Sequence, residues 1–155
     1  MHREFQFLAC EMFQTFARFE YALKVTGFVS ANASADWTKF ANEPSVKDLF
    51  IDANIELQAA REYLAMQPPK KQINLDGRLS WGEELSNSTA DSKQILEHVR
   101  RVRNNLFHGG KETSQSERDK LLLRHSLTIL KECLKANPKL NDAFHSSPFW
   151  RVESS

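Results

Sequence analysis

The chain has 155 residues, 41% hydrophobic and 26% charged, with 21 Lys and Arg against 20 Asp and Glu for a formal net charge of +1. That length suits one domain with its own core, the composition excludes disorder and collagen-like repeats, and the balanced charge excludes whole-chain attraction to polyanions. No apolar run approaches the roughly 20 residues of a membrane span, and Met1-His2-Arg3-Glu4 does not open a secretory signal, so a cytoplasmic protein with no membrane contact is expected.

Residues 4–28 hold no helix breaker before Gly27, and Phe5, Leu8, Met12, Phe16, Phe19 and Leu23 recur at steps of three and four. This spacing predicts a long amphipathic helix that stops at Gly27. Phe13, Ala17, Tyr21 and Val25 widen its apolar stripe, which implies more than one neighbour or a second subunit. Ser30–Pro44 reads as a loop with a short helical turn at Asp36–Phe40. A second helix is predicted from an N-cap at Ser45 to about Met66, ended by Pro68-Pro69.

Lys70–Asn87 carries the Asp76-Gly77 turn signal and reads as a long connection with one short helix around Leu79–Leu85. A third helix is predicted from near Ser88 through Ile95, Val99, Val102 and Leu106 to Gly109-Gly110. A fourth runs from Ser114 or Ser116 to just before Asn137-Pro138. The expected fold class is all-α, an antiparallel bundle of four to five helices. Residues 1–137 form the helical domain, and residues 138–155 form a short turn and tail packed on it or extending from it.

Cys10 and Cys133 lie far apart without metal-ligand spacing, and no two of the five histidines are spaced as a metal pair. No metal or cofactor is expected. His98 and His125 read as helix-surface or core-edge residues, and the aromatics from Phe5 to Phe28 as core.

The informative segment runs from Arg100 to Lys111 and packs three arginines, two asparagines, a histidine and a lysine into twelve residues at a helix end. Within it, Arg103-Asn104-Asn105-Leu106-Phe107-His108 has the form Arg, polar residue, three others, His. This resembles the signature of the HEPN superfamily. The polar Asn directly after the Arg, the place on the third of four helices, the Gly after the His and the helical chain all agree with it.

The resemblance implies a HEPN-like bundle working as a homodimer, with a composite site where two copies of the motif meet, and metal-independent endoribonuclease activity in a toxin or antiviral-defence setting. RNA is the implied substrate. Asn104 and His108 are four apart and share a helix face, whereas Arg103 and His108 lie roughly 140° apart around the axis. A straight helix therefore does not bring that pair together, which accords with a two-chain site.

Metal-free RNA cleavage needs a proton taken from the 2′-hydroxyl and one given to the departing 5′-oxygen. Imidazole, with a pKa of roughly 6.5, suits either task, and a helix C-terminus favours its protonated form. The catalytic candidates are His108 for proton transfer, Arg103 for gripping the scissile phosphate, and Asn104 for orienting His108 or a phosphate oxygen. Arg100, Asn105, Lys111 and Glu20 are candidate substrate-binding residues. Taken singly, each has a plainer explanation as an exposed polar residue or as basic complement to a helix C-terminus.

The position two after His108, which in some HEPN toxins is a Tyr modified by a nucleotidyltransferase antitoxin, is Gly110 here. That partnership is therefore not expected, and any control comes from a separate antitoxin or regulatory protein, or from oligomerisation. A non-catalytic HEPN RNA-binding or scaffold protein is the competing expectation, and a nucleotide-binding accessory has only the basic helix end in its favour.

Overall fold

The computed structural model describes residues 2–107 and 117–148. Its described residues form, in chain order, α1 (His2–Val25), α2 (Trp37–Ala41), α3 (Pro44–Ile51), α4 (Ile55–Met66), β1 (Lys71–Leu75), β2 (Arg78–Gly82), α5 (Ser92–Phe107), α6 (Glu117–Ala136) and α7 (Pro138–His145). The architecture is predominantly helical with one small antiparallel hairpin. Among the described residues no helix is long and apolar enough to cross a membrane.

The first helix follows its sequence pattern. Leu8, Met12, Phe16, Phe19 and Leu23 are all buried, and α1 packs along α6 and α7. Side chains of this size stabilise the fold by about 1.5–3 kcal/mol each when fully buried. Gly27 takes φ +100°, and the Phe28 amide donates to the Leu23 carbonyl at 2.8 Å, closing α1 with a left-handed glycine. Phe13, Tyr21 and Val25, the wider part of the stripe, stay largely on the surface. The expected turn at Asp36–Phe40 is α2, capped by Asp36 Oδ1 accepting from the Lys39 amide.

The single helix expected from Ser45 to Met66 is two. Pro44 stands in the first turn of α3 with Glu43, not Ser45, at the N-cap, and α4 starts afresh because Asn54 Oδ1 accepts from the Leu57 amide at 2.8 Å. Phe50 and Leu57 are both buried and seven residues apart, about two helical turns, so the apolar rhythm passes through the break undisturbed. Asn54 also donates to Glu132 Oε2 at 3.0 Å, which ties the start of α4 to α6.

The connection Lys70–Asn87 holds no helix, contrary to expectation. Asp76 and Gly77 both have positive φ (51° and 83°) and form the two-residue turn of a hairpin in which Ile73 pairs with Ser80 and Leu75 with Arg78. Ile73 and Leu75 therefore lie on one face, Leu79 and Trp81 on the other. Neither face is wholly apolar, and Leu75 and Leu79 are exposed.

The third predicted helix is α5, which starts at Ser92 and not near Ser88. Asp91 Oδ1 accepts from the Gln94 amide (2.9 Å) while Gln94 Oε1 accepts from the Asp91 amide (3.0 Å), a reciprocal capping box. The expected starts of the fourth helix at Ser114 or Ser116 and the expected stop at Gly109-Gly110 lie outside the described residues. Beyond Asn137 the chain is not a simple turn. Asn137 Oδ1 accepts from the Leu140 amide, Pro138 occupies the first turn of α7, and Leu140 and Phe144 are buried.

Candidate functional site

The basic segment lies on the last turns of α5, where α1 and α2 approach it. From α1 come Phe16 and Glu20, and from α2 comes Trp37. Trp37 is buried and stacked on both Phe16 (5.3 Å between ring centroids) and Phe19 (5.2 Å), and its indole Nε1–H donates to Glu20 Oε2 at 2.9 Å. Two arginines of α5 lie on this aromatic layer. The Arg103 guanidinium carbon is 5.1 Å from the centre of the Phe16 ring, and that of Arg100 is 5.8 Å from Trp37. Both distances suit attraction between a cation and a ring face.

Arg103 Nη1 donates to Asn104 Oδ1 at 3.0 Å. This links two of the three proposed catalytic residues. It holds the guanidinium plane between a ring and an amide, restricting a side chain that would otherwise lose much rotamer freedom on gripping a ligand. Both residues are half-buried, while Arg100 is exposed.

The basic residues do not form one cluster. Arg101 turns the other way and forms a close ion pair with Glu84, just beyond the hairpin, and burial lowers its pKa. His98 Nδ1 lies 3.8 Å from the same carboxylate. Asn105 Nδ2 donates to the Lys70 carbonyl at 2.8 Å. Asn105 and Arg101 thus fasten the two ends of the hairpin segment to α5, so the amide of Asn105 is engaged at a structural contact. Glu20 is likewise occupied as the acceptor for Trp37. His108 and Lys111 lie outside the described residues.

The helical turn expected at Asp36–Phe40 carries no sign in the sequence that Trp37 contacts Glu20 and Arg100. No helical period links positions 16, 20, 37 and 100, because their meeting depends on how α2 folds back over α1 and α5. His98, expected at the helix surface or core edge, is buried, with Nδ1 lacking a hydrogen-bond partner. The spacing did contain a signal, since position 98 lies three past Ile95 and four before Val102, both buried. Burial lowers the His98 pKa, with the nearby Glu97 charge acting in the opposite direction. Among the described residues no group of three or more His, Cys, Asp or Glu side chains is arranged to hold a metal ion.

The arrangement offers one fixed guanidinium, one more exposed guanidinium and an amide on neighbouring turns of one helix, directly before His108. Such a set can bind a phosphodiester through charge-assisted hydrogen bonds. No protein-family model, curated protein or solved structure matches this chain.

Proposed function

We propose that the protein is a metal-independent endoribonuclease of HEPN type, acting as a homodimer whose two Arg103-Asn104-His108 motifs meet in one cleft. The observation that carries this reading is the Arg103–Asn104 pair, held at 3.0 Å at the end of α5 with His108 four residues beyond Asn104. The helical architecture supports a HEPN-like bundle, and the exposed residues Tyr21 and Val25 on α1 offer apolar surface for a two-fold contact.

In the proposed reaction the RNA 2′-oxygen forms a bond to the adjacent phosphorus as the bond from phosphorus to the 5′-oxygen breaks. The 2′-hydroxyl proton leaves to a base, and the 5′-oxygen gains a proton from an acid. His108 of one or both protomers serves these transfers. Arg103 neutralises charge on the five-coordinate phosphorus, and Asn104 fixes the Arg103 plane. The products carry 2′,3′-cyclic phosphate and 5′-hydroxyl ends. A toxin or antiviral-defence role fits this activity, with any separate regulatory protein acting on the cleft.

The test incubates wild-type protein, His108→Ala and Arg103→Ala with mixed RNA in EDTA and identifies the termini. Wild type is expected to yield cyclic phosphate ends and the variants little. Equal cleavage by His108→Ala removes that residue from the mechanism. A strictly monomeric species in sedimentation at micromolar concentration refutes the composite site. A second reading, an RNA-binding or scaffold protein without catalysis, draws on the half-buried setting of Arg103 against Phe16. Absence of cleavage with retained RNA binding would favour it.

A further inference from the structure

We propose that a concavity at the opposite end of α5 is a second phosphate-binding subsite, which takes the backbone of the same RNA strand that the Arg103 end of the helix engages. This rests on the RNA reading above and adds a location to it. Lys47 on α3, Arg61 on α4 and Lys93 on α5 line a surface concavity of about 520 Å³, with Phe50 and the exposed Ile51 as its apolar side.

None of these three cations has a carboxylate partner among the described residues. The one acid in the lining, Asp91, has Oδ1 occupied by the Gln94 amide as the cap of α5. Arg61 spends Nη2 on the Ala90 carbonyl at 3.1 Å, and its Nε–H is buried without an acceptor. Several basic side chains on other faces do find acids: Lys120 and Arg124 meet Glu4, Lys131 meets Glu11, and Lys135 meets Glu132. Three cations against the single Asp91 carboxylate leave the hollow with a net positive charge, which a bound anion with several acceptor oxygens offsets.

The direction of α5 joins the two ends. Lys93, Arg100 and Asn104 are separated by seven and four residues, so they fall within roughly 20° of a common face, and about 16 Å of helix separates the first from the last. A stacked strand rises roughly 3.4 Å per phosphate, so that span corresponds to about five nucleotides. Glu97 lies near the same face and is exposed, which sets a repulsive charge between the two basic ends and directs the phosphates to them.

Binding is measured with a fluorescent single-stranded DNA of about a dozen nucleotides, which has the same phosphodiester chemistry but no 2′-hydroxyl to be attacked. For Lys47→Ala/Lys93→Ala the dissociation constant is expected to rise on the order of tenfold at low salt. The slope of log K against log salt should fall by about 1.4, at roughly 0.7 per lost phosphate contact. The control Lys24→Ala/Lys139→Ala, which removes two exposed charges elsewhere, should leave the slope within about 0.3 of wild type, and Glu97→Gln should tighten binding about two- to threefold. Unchanged affinity and slope in the Lys47/Lys93 variant, equal losses in the control, or no binding by wild type overturns the subsite. RNA cleavage with an indifferent Lys47/Lys93 variant sinks the subsite and spares the nuclease, whereas lysine-dependent binding without RNA cleavage does the reverse.

Discussion

The contact between Glu20 and Trp37 separates a binding role for Glu20 from a structural one. Trp37 is only 3% exposed, so truncating Glu20 to Ala strands an indole N–H that water cannot readily reach. Leaving a buried donor unsatisfied costs about 1–3 kcal/mol, and Glu20 is itself half-buried, so we expect Glu20→Ala to destabilise by about 2 kcal/mol. In a chain of this size that lowers Tm by roughly 4–8 °C. Glu20→Gln keeps an acceptor oxygen in place and should cost less than about 1 kcal/mol.

Trp37→Phe removes the donor but keeps an aromatic ring between Phe16 and Phe19. A double-mutant cycle in urea should give a coupling of about 1–2 kcal/mol between positions 20 and 37, since a bond to a charged acceptor contributes more than a neutral one. A cost for Glu20→Ala below about 0.5 kcal/mol, or a coupling below that value, would refute the reasoning. So would a loss of RNA binding in Glu20→Gln at unchanged stability, because Glu20 would then act on the ligand and not on Trp37.

Other expectations follow from the same contacts. Burial lowers the His98 pKa below its ordinary 6.5, with Glu97, Glu84 and Arg101 as its charged neighbours, and His125 shifts in the same direction through burial and Arg124. The unfolded chain therefore binds more protons than the folded one as pH falls below about 6.5. Stability should be complete above that pH and decline below it, and His98→Gln should flatten the curve of Tm against pH; an unaltered curve counts against it. Asn54→Ala removes both the α4 cap and a donor to the buried Glu132, and should cost about 2–3 kcal/mol in chemical denaturation. The thiol of Cys133 is fully buried, with its pKa pushed up to about 12, while Cys10 is exposed. A thiol reagent should titrate one cysteine in the native protein and two in denaturant, and two rapid native equivalents would show that Cys133 is accessible. Arg101→Met and Asn105→Ala each release one end of the hairpin segment, so proteolysis between 70 and 84 should accelerate in both while α5 remains protected.

Local patterns settled much of the helical layout. The stripe from Leu8 to Leu23, the glycine stop at 27 and the end of α4 before Pro68 follow from side-chain period and backbone constraints that operate within a few residues. The break at Asn54 escaped that reading because the apolar rhythm continues across it, and only the cap and the contact with Glu132 reveal it. The hairpin was legible in part. Asp76-Gly77 flanked by Ile73, Leu75, Leu79 and Trp81 carries a period of two, but spread over opposite faces of the ladder it resembles isolated apolar residues.

The basic segment at the end of α5 was visible as composition, and its division was not. One helix presents Arg100 and Arg103 to the aromatic layer of α1 and α2, and Arg101 to Glu84, because successive residues point about 100° apart. The sequence by itself determined which residues carry positive charge, the course of α1 and the end of α4 before Pro68. The tertiary structure decided which of those charges meet an acid and which rest on a ring, since that depends on segments distant in the chain meeting around a common core.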